Sequence, residues 1–474
     1  MEFWYSLFAL FITVLAVLLS AHIVLVKREP RAALLWVTVL WLVPFLGAIL
    51  YLLFGVNRIR RRAYALNRPR LQHLAGTVDT DPRELRLALG RGYEHLLALR
   101  NLGDRVTNSP LLPGNAITLL VDGDEAFPEM LKAISQATKN ITLSTYIFGN
   151  DRIGQGFVKA LVAAMNRGVE VRVLIDAAGE RYSWPSIVGV LQKAGIPVAR
   201  FLPHKPNRLV GLNLRNHRKL LVVDGRIGFT GGMNIRVHHL QNAGRRSTRD
   251  LHFRLEGPIV GQLQEVFVQD WAFSDGEILK GEDWFPELRP IGRIFARGVP
   301  DGPDEDLEKL VWTLHGALSL AKRRVRIMTP YFLPDRALVT ALNLAALRGV
   351  KVDIVLPSKN NLPYVQWAMM GQIWQVLQHG CRVWLTPKPF DHTKLMVVDE
   401  AWGFVGSANW DPRSLRLNFE YNVEFYDREL AHQLDSLVVE RIATATPCTL
   451  ETVDNRALPV KLRDGIARLA TPIL

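Results

Sequence analysis

A chain of 474 residues has room for about three structural units at the usual ~150 residues per domain. It is 49% hydrophobic with a formal net charge of +13, which favours an anionic partner, either nucleic acid or an acidic membrane surface. Two cysteines, Cys381 and Cys448, without the Cys/His spacing of a zinc site, exclude a disulfide framework and a zinc module.

The hydrophobic excess sits at the N-terminus. Residues 3–26 and 33–54 are nearly unbroken apolar runs, each long enough to cross a hydrocarbon core as a helix. Lys27-Arg28-Glu29-Pro30-Arg31 forms the polar turn between them, and Trp4, Trp36 and Trp41 are candidate interface anchors. A cleaved signal peptide does not fit, because Glu2 replaces a basic lead-in and a second apolar run follows. Arg58, Arg60, Arg61 and Arg62 are denser than the basic residues of the turn, which places the catalytic part on the cytoplasmic side. The expected units are a transmembrane helix pair over 1–62, a helical spacer over 63–114, a first α/β half over 115–297 and a second over 298–474.

The two halves repeat. A strand over 141–146, a helix over 154–165 and a strand over 167–175 match a strand over 325–331, a helix over 337–347 and a strand over 348–356. Later, Leu191-Gln192-Lys193-Ala194-Gly195 is echoed by Leu377-Gln378-His379-Gly380. β-branched runs alternating with helices predict two α/β halves with largely parallel sheets. Residues 298–304 read as a turn-rich linker between them. A basic amphipathic stretch, 461–469, closes the chain and is expected to pack on the domain.

Each half carries one copy of a single motif. His217, Lys219, Asp224, Gly231-Gly232 and Asn234 recur at identical offsets as His392, Lys394, Asp399, Gly406-Ser407 and Asn409. On a strand, positions i and i+2 share a face, so each His–Lys pair projects together. Gly231-Gly232 lets the backbone turn past the site, and Asn234 and Asn409 can return beside it. If the halves meet about a pseudo-twofold axis, two imidazoles, two ammonium groups and two amides converge on one pocket. Two lysines and two asparagines, with Ser407, suit the non-bridging oxygens of a phosphodiester. One histidine can attack phosphorus while the other handles the proton of the alcohol. The lysines supply the positive charge, so neither metal nor cofactor is expected. Asp224 and Asp399 belong to the same signature, but they lie beyond the strand runs and are expected to hold structure. The segment 238–249 could bind a lipid phosphate, and 363–370 could admit acyl chains or pack in the core.

These motifs resemble the HxKxxxxDxxxxxxG(G/S)xN signature of the phospholipase D superfamily. A longer similarity, to its bacterial cardiolipin synthases, covers nearly the whole chain. It includes two N-terminal apolar runs, Asp122-Gly123-Asp124-Glu125-Ala126-Phe127, Asn213-Leu214-Arg215-Asn216-His217 and Arg249-Asp250-Leu251-His252. It continues through residues 411–420, ending in Asn418-Phe419-Glu420. The resemblance implies a phosphatidyl transferase that joins two phosphatidylglycerol molecules into cardiolipin and glycerol through a phosphatidyl-histidine. It implies His217 as nucleophile and His392 as acid/base, with Glu420 and Asp250 as the acidic residues that orient the histidines. Phosphatidylglycerol and anionic membrane lipid are the expected partners. Nucleic acid is not, since no module with base-stacking aromatics is seen, and an oligomer is compatible with the sequence. The expected location is the bacterial cytoplasmic membrane, multi-pass. The rival readings are a phospholipase D-type hydrolase or another phosphatidyl transferase, then a membrane-tethered nuclease.

Overall fold

The computed structural model describes residues 2–27, 30–52, 81–107, 109–203, 214–303, 306–469 and 471. The chain divides into two compact units, 1–65 and 66–474.

In the first unit, Glu2–Val26 is one helix, and its Phe3–Val26 portion is long and apolar enough to cross a membrane. The second apolar run is not one continuous helix. It breaks into Pro30–Leu42 and Pro44–Leu50, with Val43 at φ −137° and ψ 73° between them. Pro44 is the cause: proline has no N–H and its ring crowds the preceding turn. Among the described residues, one helix therefore has spanning length, not the expected two; Leu53 and Phe54 lie outside them. The broken helix packs on the long one through buried Ile23, Leu40, Ala48 and Tyr51. His22 Nδ1 meets the Tyr51 hydroxyl at 2.8 Å, so each of these two polar side chains has a partner.

The second unit is built on one continuous mixed sheet. Its strands are β1 (Leu112–Val121), β2 (Asn140–Thr145), β3 (Glu170–Asp176), β4 (Val198–Phe201), β5 (Arg215–Asn216) and β6 (Leu220–Val223). Next come β7 (Ile227–Gly231), β8 (Thr248–Arg249), β9 (Leu251–Glu256), β10 (Ile294–Asp301), β11 (Arg324–Met328) and β12 (Lys351–Pro357). The last are β13 (Arg382–Thr386), β14 (Phe390–Asp391), β15 (Leu395–Val398), β16 (Trp402–Gly406), β17 (Asn418–Tyr426) and β18 (Thr446–Cys448). Along the main sheet the order is β18-β13-β12-β11-β15-β16-β17-β10-β1-β9-β7-β6-β2-β3-β4, nearly palindromic about the β10–β1 pair; β5 joins it beside β17, and β8 and β14 form a separate two-stranded sheet.

The repeat is therefore visible in three dimensions. β2, β3 and β4 are parallel, as are β11, β12 and β13, and helices Arg152–Asn166 and Arg336–Leu347 make the matching crossovers. Apart from the short parallel β5–β17 pair, the rest of the main sheet is antiparallel, against the expectation of largely parallel sheets. The reason is local: Asp224 and Gly225, at φ 53° and 64°, turn β6 straight back into β7, and Asp399 and Glu400 do the same between β15 and β16.

Two further expectations change. Residues 298–301 are not linker but the buried end of β10, in register with Glu420–Val423 of β17. The described part of the spacer, helices Pro82–Leu89 and Leu97–Thr107, does not stand apart either. Its Leu85, Leu89, Leu96 and Leu99 are buried in the hydrophobic core of the second half. Residues 63–80 lie outside the described ones.

Candidate active site

Each His-x-Lys lies just before its strand rather than inside the ladder, in a short extended segment between β5 and β6 or between β14 and β15. What fixes that segment comes from the opposite half. β5 pairs with the start of β17, and the His217 N–H donates to the Phe419 carbonyl at 2.8 Å. β14 pairs with β8, and the His392 N–H donates to the Arg249 carbonyl, also at 2.8 Å. Phe419 immediately precedes Glu420, and Arg249 immediately precedes Asp250. Each histidine is thus delivered beside the carboxylate of the other half.

The side chains complete that exchange. His217 Nδ1 lies 3.0 and 3.1 Å from the two oxygens of Glu420, and His392 Nδ1 lies 2.8 Å from Asp250 Oδ2. Both carboxylates are buried, so each holds its imidazole by a water-shielded, charge-assisted bond. An ionised carboxylate only accepts, so Nδ1 carries the proton and Nε2 is left for chemistry. The ring of Tyr146 stands edge-on to His217 at 5.3 Å, and that of Tyr331 edge-on to His392 at 6.3 Å. The ammonium groups of Lys219 and Lys394 donate to the carbonyls of their own histidines, His217 and His392.

The carboxylates are held in turn by matching devices. Asp122, at φ 57°, exchanges backbone bonds with Asp250: its N–H donates to the Asp250 carbonyl at 3.0 Å, and its Oδ1 accepts the Asp250 N–H at 2.9 Å. Glu420 sits opposite Asp301 in the β10–β17 ladder, and the buried Arg218 guanidinium donates to its carbonyl at 3.0 Å and to Asp270 at 2.8 Å. The Ser407 hydroxyl donates to Glu420 Oε2. In the first half Gly232 takes that place, and a Cβ there would lie 2.2 Å from Asp250 Oδ1. The shorter aspartate sits where serine cannot fit, and the longer glutamate leaves room for it.

Burial decides the electrostatics. Lys219 is pushed down to about 7 and Lys394 to about 8 by desolvation, while the neighbouring carboxylates pull the other way. His392 is held well below its ordinary value by burial and by the charges of Lys394, His217 and Lys219. Burial also lowers His217, with Glu420 opposing. Burial alone would raise Glu420, but His217, Lys219 and Ser407 bring it below the usual range. Groups from both halves shift one another, so they share one field. With neutral imidazoles the two lysines balance the two carboxylates, and a single monoanion entering the pocket favours one added proton.

The remaining expected site residues are taken up in hydrogen bonds around these groups. Asp224 accepts the N–H groups of Thr138, Lys139 and Asn140 and the Thr138 hydroxyl. Asp399 accepts those of Lys322, Arg323 and Arg324 and meets His95 Nε2 at 2.7 Å. Both clamp the motif hairpin to the start of β2 or β11 rather than entering the pocket. Asn234 accepts the Ile147 N–H at 3.0 Å, and Asn409 donates to Ser414 Oγ at 3.2 Å, each holding a loop beside the histidines. Ser407, expected at the substrate, spends its hydroxyl on Glu420.

Sequence reading missed Tyr146, Tyr331, Asp122 as a clamp, and Arg218. The signal for the tyrosines was present, since each follows the strand that opens the repeat, β2 or β11, within three residues. Among the described residues no cluster of His, Cys, Asp and Glu is arranged to hold a metal ion.

The family model "Cardiolipin synthase, PLD-like domain" matches residues 130–271 and 314–441, and a "Phospholipase_D-nuclease N-terminal" model matches 14–55. The chain is 33% identical to the major cardiolipin synthase of Bacillus subtilis (strain 168), over 96% of this chain and 97% of that one. It is 32% identical to the cardiolipin synthase of Oceanobacillus iheyensis, over 97% and 98%. Among solved structures it resembles phosphatidylserine synthase of Haemophilus influenzae Rd KW20, with a TM-score of 0.62 over 80% of this chain and 100% of that one. At 16% identity that likeness speaks to the fold alone. With matches over most of its length and both motifs intact, the chain belongs to the cardiolipin synthase family of phospholipase D-like proteins.

Proposed function

We propose that this protein is a membrane-bound cardiolipin synthase that transfers a phosphatidyl group from one phosphatidylglycerol to another. The observation that carries it is the reciprocal pairing of His217 with Glu420 and His392 with Asp250 around two buried lysines. Two imidazoles with oriented Nδ1–H groups and Nε2 lone pairs left for the substrate are what a two-step displacement at phosphorus requires.

In the first step His217 Nε2 attacks phosphorus and the bond to the glycerol head group breaks. His392, protonated as the anion arrives, gives its proton to the leaving oxygen. Glycerol departs and a phosphatidyl-His217 remains. In the second step the head-group hydroxyl of another phosphatidylglycerol passes its proton to His392 and attacks phosphorus. The P–N bond breaks, cardiolipin forms, and His217 is restored. Lys219 and Lys394 meet the charge that builds on the non-bridging oxygens. The family and the helix Phe3–Val26 support membrane association. The proposed setting is the bacterial cytoplasmic membrane with the catalytic unit on the cytoplasmic side, where tethering brings enzyme and lipid together.

The test is purified full-length protein in phosphatidylglycerol vesicles, with lipids and free glycerol followed by mass spectrometry. Cardiolipin and glycerol should rise together. Phosphatidic acid without cardiolipin would make water the acceptor and the protein a hydrolase.

A further inference from the structure

Helix Leu458–Leu469, sequence LPVKLRDGIARL, is seated on the protein by its polar side. Asp464 is buried at 1% exposure and bonded by Arg456 and Arg463. Arg456 also donates to the Met370 carbonyl at 3.0 Å, and Arg463 lies 4.8 Å over the Trp367 ring. Gly371 permits this close approach, since a Cβ there would lie 2.6 Å from the Asp464 carbonyl oxygen. The large aliphatic side chains face the other way. Leu458, Leu462, Ile466 and Leu469 are 78, 62, 60 and 76% exposed. At about 100° per residue they fall within an arc of about 80°. Lys461 and Arg468 border one side of that arc and Arg463 the other. The expected packing of this stretch on the domain is thus made by its polar face, and its apolar stripe is left uncovered.

The helix on which it is seated, Pro363–Gln372, leads from its polar face towards the chemistry. Just ahead of it, Asn361 accepts the hydroxyl of Tyr331 at 2.9 Å, and the Tyr331 ring stands against His392. In its first turn Tyr364 is 45% exposed.

We propose that Leu458–Leu469 is an interfacial helix whose aliphatic stripe enters the surface of an anionic phospholipid bilayer and sets the mouth of the active site onto the lipid. Two observations choose a bilayer over a second copy or another protein. The stripe is bordered on one side by Lys461 and Arg468, which suits anionic head groups. The same chain also carries a helix of spanning length, so this unit works on a tether to a membrane. The inference rests on the membrane-lipid reading of the site, but its first test does not require turnover.

The full-length protein, with a fluorescent NBD label on Leu462→Cys or, as control, on Asp275→Cys, is placed in vesicles of phosphatidylglycerol and phosphatidylcholine. Cys381 and Cys448 are buried, and an unsubstituted sample corrects for their labelling. The label at 462 should brighten at least about threefold and be quenched by doxyl lipid, and that at 275 should not. A solvent-like label at 462 overturns the proposal. So does brightening that follows the protein-to-lipid ratio without doxyl quenching, which would mean a second copy covers the stripe. Leu462→Glu with Ile466→Glu should lower turnover on vesicles about tenfold and leave turnover of monomeric short-chain phosphatidylglycerol within about twofold. Equal loss on both substrates would make the face structural and overturn the proposal. Doxyl quenching at 462 in a wild-type background that turns over neither substrate would support the lipid contact while removing the synthase reading.

Discussion

Glu420→Gln isolates what the exchange of carboxylates between halves contributes. Glu420 is buried, and its oxygens accept from His217 Nδ1, Ser407 Oγ and Asn418 Nδ2. Glutamine keeps the size but replaces one accepting oxygen by an NH2, which only donates. Its NH2 must then face a donor: the hydroxyl of Ser407, the amide of Asn418, or the Nδ1–H of His217. Facing His217, it drives the ring to the other tautomer and puts the proton on Nε2, where the lone pair is needed. Removing one partner of a buried charge pair costs about 3–5 kcal/mol, and about 3 kcal/mol expressed in the transition state is about a hundredfold in kcat/KM. The assay is initial-rate cardiolipin formation in phosphatidylglycerol vesicles, with thermal unfolding run on the same sample. A loss of two orders of magnitude in a folded protein is expected, with Asp250→Asn giving a loss of similar size through His392. Activity within about threefold of wild type in a folded Glu420→Gln would refute the assignment of Glu420 to His217.

Other consequences are more local. Lys219 and Lys394 titrate at about 7 and about 8, lowered by burial, so they are charged below those values and neutral above them. Accordingly, kcat/KM should fall as pH rises through that window, and a flat profile would deny the lysines their role. Gly232→Ser places a Cβ 2.2 Å from Asp250 Oδ1, so the carboxylate must leave His392, and activity should drop at least about tenfold while Ser407→Gly is milder. Asp399→Ala strands three backbone N–H groups, each worth about 1–3 kcal/mol, and should lower Tm by several degrees in a thermal melt. Because two ammonium groups meet the developing charge, EDTA should leave turnover intact; loss restored only by a divalent ion would count against the mechanism.

The motif spacing made much of this site legible. His217, Lys219, His392 and Lys394 stand out because two copies agree at every polar position, and the strand–helix–strand repeat around them is local pattern. The exchange of carboxylates was not legible. Glu420 and Asp250 lie 203 and 142 residues from the histidines they hold, and no spacing rule says which carboxylate crosses to which ring. Ser407 reads as a substrate ligand until its hydroxyl is seen on Glu420. The antiparallel hairpins were written in Asp224-Gly225 and Asp399-Glu400, but buried β-branched runs look the same in parallel and antiparallel sheets. Pro44 marked the break in the second apolar run, although hydropathy alone outweighed it. The last helix was amphipathic on paper, yet periodicity cannot tell which face meets the protein.

The central claim is that the two motifs form one site in which His217 carries the phosphatidyl group and His392 moves the proton. It is tested most directly by trapping the intermediate. His392→Ala and His217→Ala proteins are mixed with phosphate-labelled phosphatidylglycerol, denatured at alkaline pH where phosphohistidine survives, digested and read by mass spectrometry. The account predicts label on the His217 peptide in His392→Ala and none in His217→Ala. Label on His392 in His217→Ala, with none on His217 in His392→Ala, would contradict it.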